Sequence, residues 1–255
     1  MKPNMIRAGV AVSLLFQILI VCSVIARAQG GPPMITDDTE TVPKGHWEVN
    51  TAFTWERTGE GTQLSTPLLD INYGLSKNAQ LKVEIPWLVQ YRNGLRTING
   101  AGNTSIAVRW RFRDEREHHR VAISIYPAFE FNTLGSSQRR GLVDKGPEFL
   151  MPMQIQTHIG KYGINGDIGY RFKRGKDEVI YGVAVGRAFK EKAEFMAEIH
   201  GTGPSGRLSA SEVVFNFGSR IKLTKHTNLL LSSGRSVIGG RDPKFIGYFG
   251  LQVNY

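Results

Sequence analysis

The residues of this sequence that could do chemistry are six histidines, one cysteine and a long series of acids and bases that recur at even spacing. Glu198 and His200 lie two apart, so in an extended chain they share a face, and Ser205 follows nearby. A nucleophile, a base and an orienting group held on one surface would support acyl hydrolysis. A single Glu/His pair at that spacing also suits a plain polar lining. His46 and His158 fall on the same kind of face as His200, whereas His118, His119 and His226 fall in turns. Adjacent residues in an extended chain point apart, which weakens His118 and His119 as a metal pair. Cys22 lies inside an N-terminal apolar run, so the rest of the chain has neither disulfides nor thiolate metal sites. No catalytic residue, metal site or cofactor is assigned.

The charged residues form a clearer pattern. Lys82, Arg109, Arg111, Arg171 and Arg220 alternate with apolar neighbours, and so do Glu48, Asp70, Glu84, Glu130, Asp167 and Glu198. The two signs nearly balance. On neighbouring strands they would form ion pairs across a wall, with Glu84 offered to Arg109 and Arg111. Such a lining would filter solutes by size and charge, or would neutralise a lumen filled by side chains.

These side chains need elements to position them, and the chain has first to reach the right compartment. Lys2 and Arg7 precede an apolar run over residues 8–26 that ends in Ala26-Arg27-Ala28. This pattern predicts a secretory signal peptide over 1–28, cleaved before Gln29. Val21 stands before Cys22 where lipoprotein processing needs a small residue. The formal charge of the whole chain is +10. Residues 1–28 contain three bases and no acid, so the remainder is three charges less basic. Export excludes nucleic acid as the partner of that basic balance and leaves anionic lipid and lipopolysaccharide.

Beyond residue 28 no apolar run approaches the ~20 residues that a membrane helix requires. If the chain spans a bilayer it must do so as a closed sheet, because only closure pairs every backbone group without a helix. Alternation with a period of two points that way. In 46–56, Trp47, Val49, Thr51, Phe53 and Trp55 oppose His46, Glu48, Asn50, Thr54 and Glu56. In 80–92, Leu81, Val83, Ile85, Trp87, Val89 and Tyr91 oppose Gln80, Lys82, Glu84, Gln90 and Arg92. In 105–113, Ile106, Val108, Trp110 and Phe112 oppose Ser105, Arg109, Arg111 and Arg113. Further segments fall at 66–74, 121–132, 149–159, 162–172, 179–188, 194–201, 212–222, 228–234 and 245–255. The expectation is an all-β, antiparallel transmembrane β-barrel of about twelve strands over 45–255, most near the ~9–11 residues a tilted strand needs. Pro67, Pro86, Pro127 and Pro152 fall within these strands, where each removes a donor and implies either a bulge or a strand end.

Connections near 75–78, 114–118, 160–161, 190–192 and 224–226 are short and polar. Those near 93–103, 133–146, 202–209 and 235–243 are longer, as on the outer side of such barrels. Arg or Lys on the lipid face costs roughly 2–4 kcal/mol at the midplane, so the charged face turns inward. Trp47, Trp55, Trp87, Tyr91 and Trp110 then sit on the lipid side, several at headgroup level. The competing reading is a soluble sandwich with the apolar face as its core. Phe249, Leu251, Val253 and Tyr255 share a face and close the sequence on an aromatic, which resembles the C-terminal signal read by barrel assembly machinery.

Two openings carry a family resemblance. Pro33-Met34-Ile35-Thr36-Asp37-Asp38 and Val42-Pro43-Lys44-Gly45-His46-Trp47-Glu48 resemble the start of the MetA-pathway of phenol degradation family of outer-membrane transporters. Ala197-Glu198-Ile199-His200-Gly201 is similar to that family's later Ala-Glu-Leu-Tyr-Gly stretch, with His200 in place of an aromatic. The resemblance implies a porin-like transporter in the bacterial outer membrane for small solutes, aromatic or hydrophobic ones among them, and it brings no catalytic residues.

Residues 29–44 read as an irregular segment that folds into the lumen or hangs in the periplasm. Expected partners are outer-membrane lipid and lipopolysaccharide, barrel assembly machinery and a small-molecule solute. The alternatives are an outer-membrane barrel hydrolase acting on lipid and a structural barrel without transport.

Overall fold

Strands that alternate apolar and polar residues over their whole length can bury only one face, and this chain resolves the conflict by closing its sheet. A computed structural model describes residues 30–115, 120–190, 192–239 and 242–255. In chain order the strands are β1 (Trp47–Arg57), β2 (Gly61–Ser76), β3 (Ala79–Arg92), β4 (Ile98–Ala101), β5 (Asn103–Arg113), β6 (Ala122–Ile125) and β7 (Ala128–Asn132). They continue as β8 (Glu148–Ile159), β9 (Tyr162–Phe172), β10 (Glu178–Phe189), β11 (Ala193–Pro204), β12 (Glu212–Lys222), β13 (Thr227–Ile238) and β14 (Phe245–Asn254). β4 and β5 together line one position of the wall, and so do β6 and β7, giving a closed antiparallel barrel of twelve strands. Closure runs between the first and last strands, with Phe53 opposite Phe249 and Thr51 opposite Leu251.

The prolines mark where the ladder breaks. Pro67 occupies the register shift between Ser65 and Leu68. At Pro86, β3 changes partner from β5 to β4, and its carbonyl accepts from Gly102 N at 2.8 Å. Pro127 separates β6 from β7, and Pro152 stands opposite this gap, its carbonyl accepting from Tyr126 N at 3.0 Å. A residue with no N–H is thus placed where the neighbouring strand offers no regular acceptor.

Burial is inverted relative to a water-soluble protein. Asn50, Gln154, Gln156, Asn165 and Asn216 are 1% exposed and face the interior, while Trp110, Ile168, Val183, Phe217 and Phe249 are more than half exposed on the outside. A continuous apolar outer band of this kind is stable against acyl chains and not against water. Aromatic pairs mark its two rims: Trp47 with Tyr73 and Phe189 with Phe195 at the end carrying the chain termini, Trp55 with Phe245 and Phe149 with Phe172 at the other. A single closed sheet excludes the two-layer sandwich. Among the described residues no helix is long and apolar enough to cross a membrane.

Two connections differ from expectation. β2 begins at Gly61, five residues before the predicted strand, so β1 and β2 are joined only by residues 58–60. The connection predicted at 93–103 contains β4, which pairs with the upper part of β3. Both stretches are polar and glycine-bearing because they lie near the rim, where the outward face no longer has to be apolar. The connection 133–147 carries a short helix α1 (Gly135–Arg139) and folds inward, burying Ser137 and Leu142.

Candidate functional site

The inward face is polar, and the chain preceding β1 lies within it. Gly31 N donates to the Thr36 carbonyl at 3.0 Å, and Met34 N donates to the Gly31 carbonyl at 2.9 Å, so residues 31–36 form a compact turn. The amides of Ile35 and Thr36 converge on the Glu198 carboxylate of β11, at 2.9 and 2.7 Å. Two adjacent backbone donors at one anion make a small nest for it. Asn216 Nδ2 supplies a third donor at 2.8 Å.

Across the lumen, Arg109 of β5 gathers the acids of the segment. Its Nη2 donates to Asp37 Oδ2, and its Nη1 lies 3.2 Å from Asp38 Oδ1 and 2.6 Å from the Glu40 carbonyl. The guanidinium stacks 4.7 Å above the Tyr126 ring. Arg111 pairs with Glu40 at 2.8 Å, and Arg220 of β12 donates to the Pro32 carbonyl at 3.0 Å and to Glu194 at 3.1 Å. Thr39 bonds Gln156, and Val42 N bonds Gln80, at 2.6 and 2.8 Å. Desolvation raises the Asp38 carboxyl above its ordinary range, opposed by the charge of Arg109.

Glycines of the wall admit the segment. A Cβ at Gly74 would collide with the carbonyl of Pro43, and one at Gly182 with Thr36 Oγ1. The segment therefore touches β2, β3, β5, β8, β9, β10, β11, β12 and β13, and it fills the lumen toward the terminus-bearing end. A cavity of 280 Å³ remains beside it, bounded by Asp70, Lys82, Arg109 and Arg220.

The other half of the lumen is more open, with a cavity of 610 Å³ beneath the 133–147 connection. Glu84, Glu130, Glu148, Arg92, Arg171 and Lys173 line it, with Leu88 and Leu142 as apolar wall. Register places Glu84 opposite Ser105, Ser105 opposite Glu130, and Glu130 opposite Glu148, so one arc of wall is acidic. Lys82 compensates Glu84 at 3.5 Å and Lys173 compensates Glu148 at 3.7 Å, while Glu130 accepts from Asn103 at 2.9 Å. Arg92 donates to the Gly141 carbonyl at 2.6 Å and so ties the inward connection to β3.

The structure places the remaining candidate residues as follows. Asp70 is buried beside Lys82 at 3.1 Å, and Glu48 accepts from Asn50 at 3.3 Å. Asp167 accepts from Asp37 N at 3.4 Å, and Arg171 lies 3.8 Å from Glu178. Trp47, Trp55, Trp87, Tyr91 and Trp110 are all exposed on the outer face, as are Phe249, Leu251 and Tyr255, while Val253 is half-buried. Tyr255 and Trp47 exchange backbone hydrogen bonds at 2.9 and 3.2 Å. The expected pairing of Glu84 with Arg109 and Arg111 is overturned. β3 sets Gln80 opposite Arg109 and Glu84 opposite Ser105, so the two arginines take their acids from residues 37–40 instead. Tyr126 and the amides Gln154 and Gln156 were not among the expected lining residues, and Gln80 was expected on the polar face without a role. Their inward parity was visible, but nothing local marks them as contacts of a distant segment.

The hydrolase candidates do not assemble. Glu198 is taken by the Ile35 and Thr36 amides, and Ser205 lies in the connection between β11 and β12, at the end away from the chain termini, where its N–H donates to the Asp177 carbonyl at 3.0 Å. His46 bonds the Tyr255 carbonyl and His158 bonds Glu115, each at 2.8 Å. His118 and His119 lie outside the described residues.

No family model and no curated protein sequence matches the chain. Among solved structures the fold is similar to that of the COG4313 outer membrane channel from Pseudomonas putida F1, with a TM-score of 0.66 at 12% identity, over 86% of this chain and 98% of that one. It is also similar to the KdgM porin (TM-score 0.59, 10% identity, 82% and 99% coverage) and the NanC porin (0.57, 9%, 81% and 98%). At these identities the likeness is one of fold.

Proposed function

We propose that this chain is a bacterial outer-membrane channel for small solutes, exported by cleavage after Ala28 and closed at its periplasmic end by residues 30–44. The observation that carries the reading is the inverted burial of a closed twelve-stranded barrel, whose polar interior holds an ordered segment by side-chain bonds rather than by a packed apolar core. Channels and porins of similar fold support it. Most of the short turns lie at the terminus-bearing end, which is then periplasmic, and the vestibule with its acidic arc opens outward. Barrel assembly machinery would read the Phe249, Leu251, Val253 and Tyr255 face.

The solutes are small and amphipathic. A cavity of 230 Å³ between the segment and β14 is lined by Met34, Ile35, Ile246 and Tyr248, beside the polar Thr54 and Asn216. A ring the size of benzene fits a cavity of roughly 150 Å³. The resemblance of residues 33–38 and 42–48 to the MetA-pathway family agrees with an aromatic or hydrophobic cargo.

Planar-bilayer recording of the refolded chain tests the reading. Discrete conductance steps are expected, and a silent bilayer containing folded barrel would sink it. The acidic arc makes a second prediction: Glu84→Gln with Glu130→Gln shifts the reversal potential in a salt gradient toward anion preference. An unchanged reversal potential would show that ions bypass the vestibule.

A further inference from the structure

Among the outward residues of β10, one does not belong in an apolar band. Val183, Val185 and Phe189 are exposed on the lipid-facing side, and Arg187 shares their parity. Its guanidinium carbon lies 4.7 Å from the Phe189 ring centroid and 5.6 Å from that of Tyr162, and Nη1 reaches the Tyr162 hydroxyl at 3.5 Å. Its Nε is buried with no hydrogen-bond partner. Among the described residues no carboxylate lies in ion-pair range of it. Glu194, on the adjacent strand, points inward to Arg220. Glu191 lies outside the described residues.

The setting adds charge of the same sign. Lys161 stands in the turn before β9, and Lys190 and Lys192 stand in the turn after β10. Tyr162 and Arg187 belong to the ends of β9 and β10 beside those turns, one step beyond the Gly163–Gly186 pair. Below the level of Arg187 the two turns thus carry three lysines, with Glu191 between two of them in sequence, and above it Val183, Val185 and Phe195 are apolar. A phosphodiester monoanion carrying acyl chains matches both halves. Arg forms paired, charge-assisted bonds to phosphate, and stacking on two rings holds the guanidinium at the level of the aromatic rim, where the bilayer presents its headgroups.

We infer that Arg187, with Lys161, Lys190 and Lys192, forms a binding site on the outer wall for an anionic phospholipid of the periplasmic leaflet. This rests on the outer-membrane reading above, which makes the terminus-bearing end periplasmic and its leaflet phospholipid rather than lipopolysaccharide.

The test is reconstitution of the refolded chain into nanodiscs of equal phosphatidylglycerol and phosphatidylcholine, with retained lipids counted by native mass spectrometry. Phosphatidylglycerol is expected to be enriched roughly fivefold on the barrel. Arg187→Gln should remove most of that enrichment and Arg187→Lys should keep part of it. Inorganic phosphate in the buffer should not displace the lipid, since it lacks the chains that lie along Val183 and Phe195. Equal retention of both lipids by the native chain overturns the proposal, as does full enrichment in folded Arg187→Gln or displacement by free phosphate. Bilayer conductance of the same samples reports the channel reading separately. Retained conductance with no lipid preference defeats only the lipid site, and lipid preference without conductance defeats only the channel.

Discussion

Deleting residues 30–41 is expected to raise single-channel conductance several-fold while the barrel still folds. The segment contributes no strand, so the ladder that closes β1 on β14 keeps every bond when it is removed. What is lost is the bridge across the lumen: the Glu198 nest, the Arg109 cluster and the Arg220 and Gln156 contacts. Once the segment is gone, water reaches Arg109, Arg111 and Glu198, so their charges are solvated rather than stranded. Asp37→Asn with Asp38→Asn is a different case. It leaves Arg109 under the segment without a charge partner, where a broken buried pair costs on the order of 3–5 kcal/mol. Partial hydration of the lumen reduces that figure, and undocking of the segment relieves the rest. The double variant should therefore flicker between the native conductance and that of the deletion. Recording both in planar bilayers, with heat-dependent gel mobility to confirm folding, decides the matter. A deletion with native conductance would mean that residues 30–41 lie off the solute path.

The second large effect concerns the outer wall. Val183 lies halfway along β10, 53% exposed, between Gly166 and Ile199 on the neighbouring strands. Val183→Arg should destabilise the barrel by ~2–4 kcal/mol in lipid, the cost of a cation at the bilayer midplane. Val183→Leu should be close to neutral. Denaturant unfolding in phospholipid vesicles measures both. A surface in contact with water would tolerate arginine at this position at almost no cost, so a neutral Val183→Arg would refute the membrane orientation. Arg187, four residues on, shows where the wall does accept a cation: at the rim, between two aromatic rings.

Much of the barrel was legible because its determinant is local. Alternation in 46–56, 80–92 and 105–113 states which side chains must part company, and a sheet obeys with the same period. Pro67, Pro86 and Pro127 were legible as interruptions of the ladder for the same reason, since a missing donor is a property of one residue; the first is a bulge and the other two mark a change of partner and a strand end. The extension of β2 back to Gly61 was not, because near a rim the outward face is under no demand to be apolar. Nor was the partner of Arg109, because offset between strands depends on turn geometry, on the bulge at Pro67 and on the break between β4 and β5 at Gly102, which alternation does not encode.

Residues 37–40 make the division plain. That Asp37, Asp38 and Glu40 are acidic, and that Arg109 and Arg111 cannot face lipid, follows from the sequence, because the cost of a charge in hydrocarbon belongs to the residue itself. That these acids meet those arginines inside the lumen was decided by the tertiary structure alone. Closing the sheet brings β5, β11 and β12 around one axis, and only that closed interior presents Arg109, Glu198 and Arg220 to a single short stretch of chain.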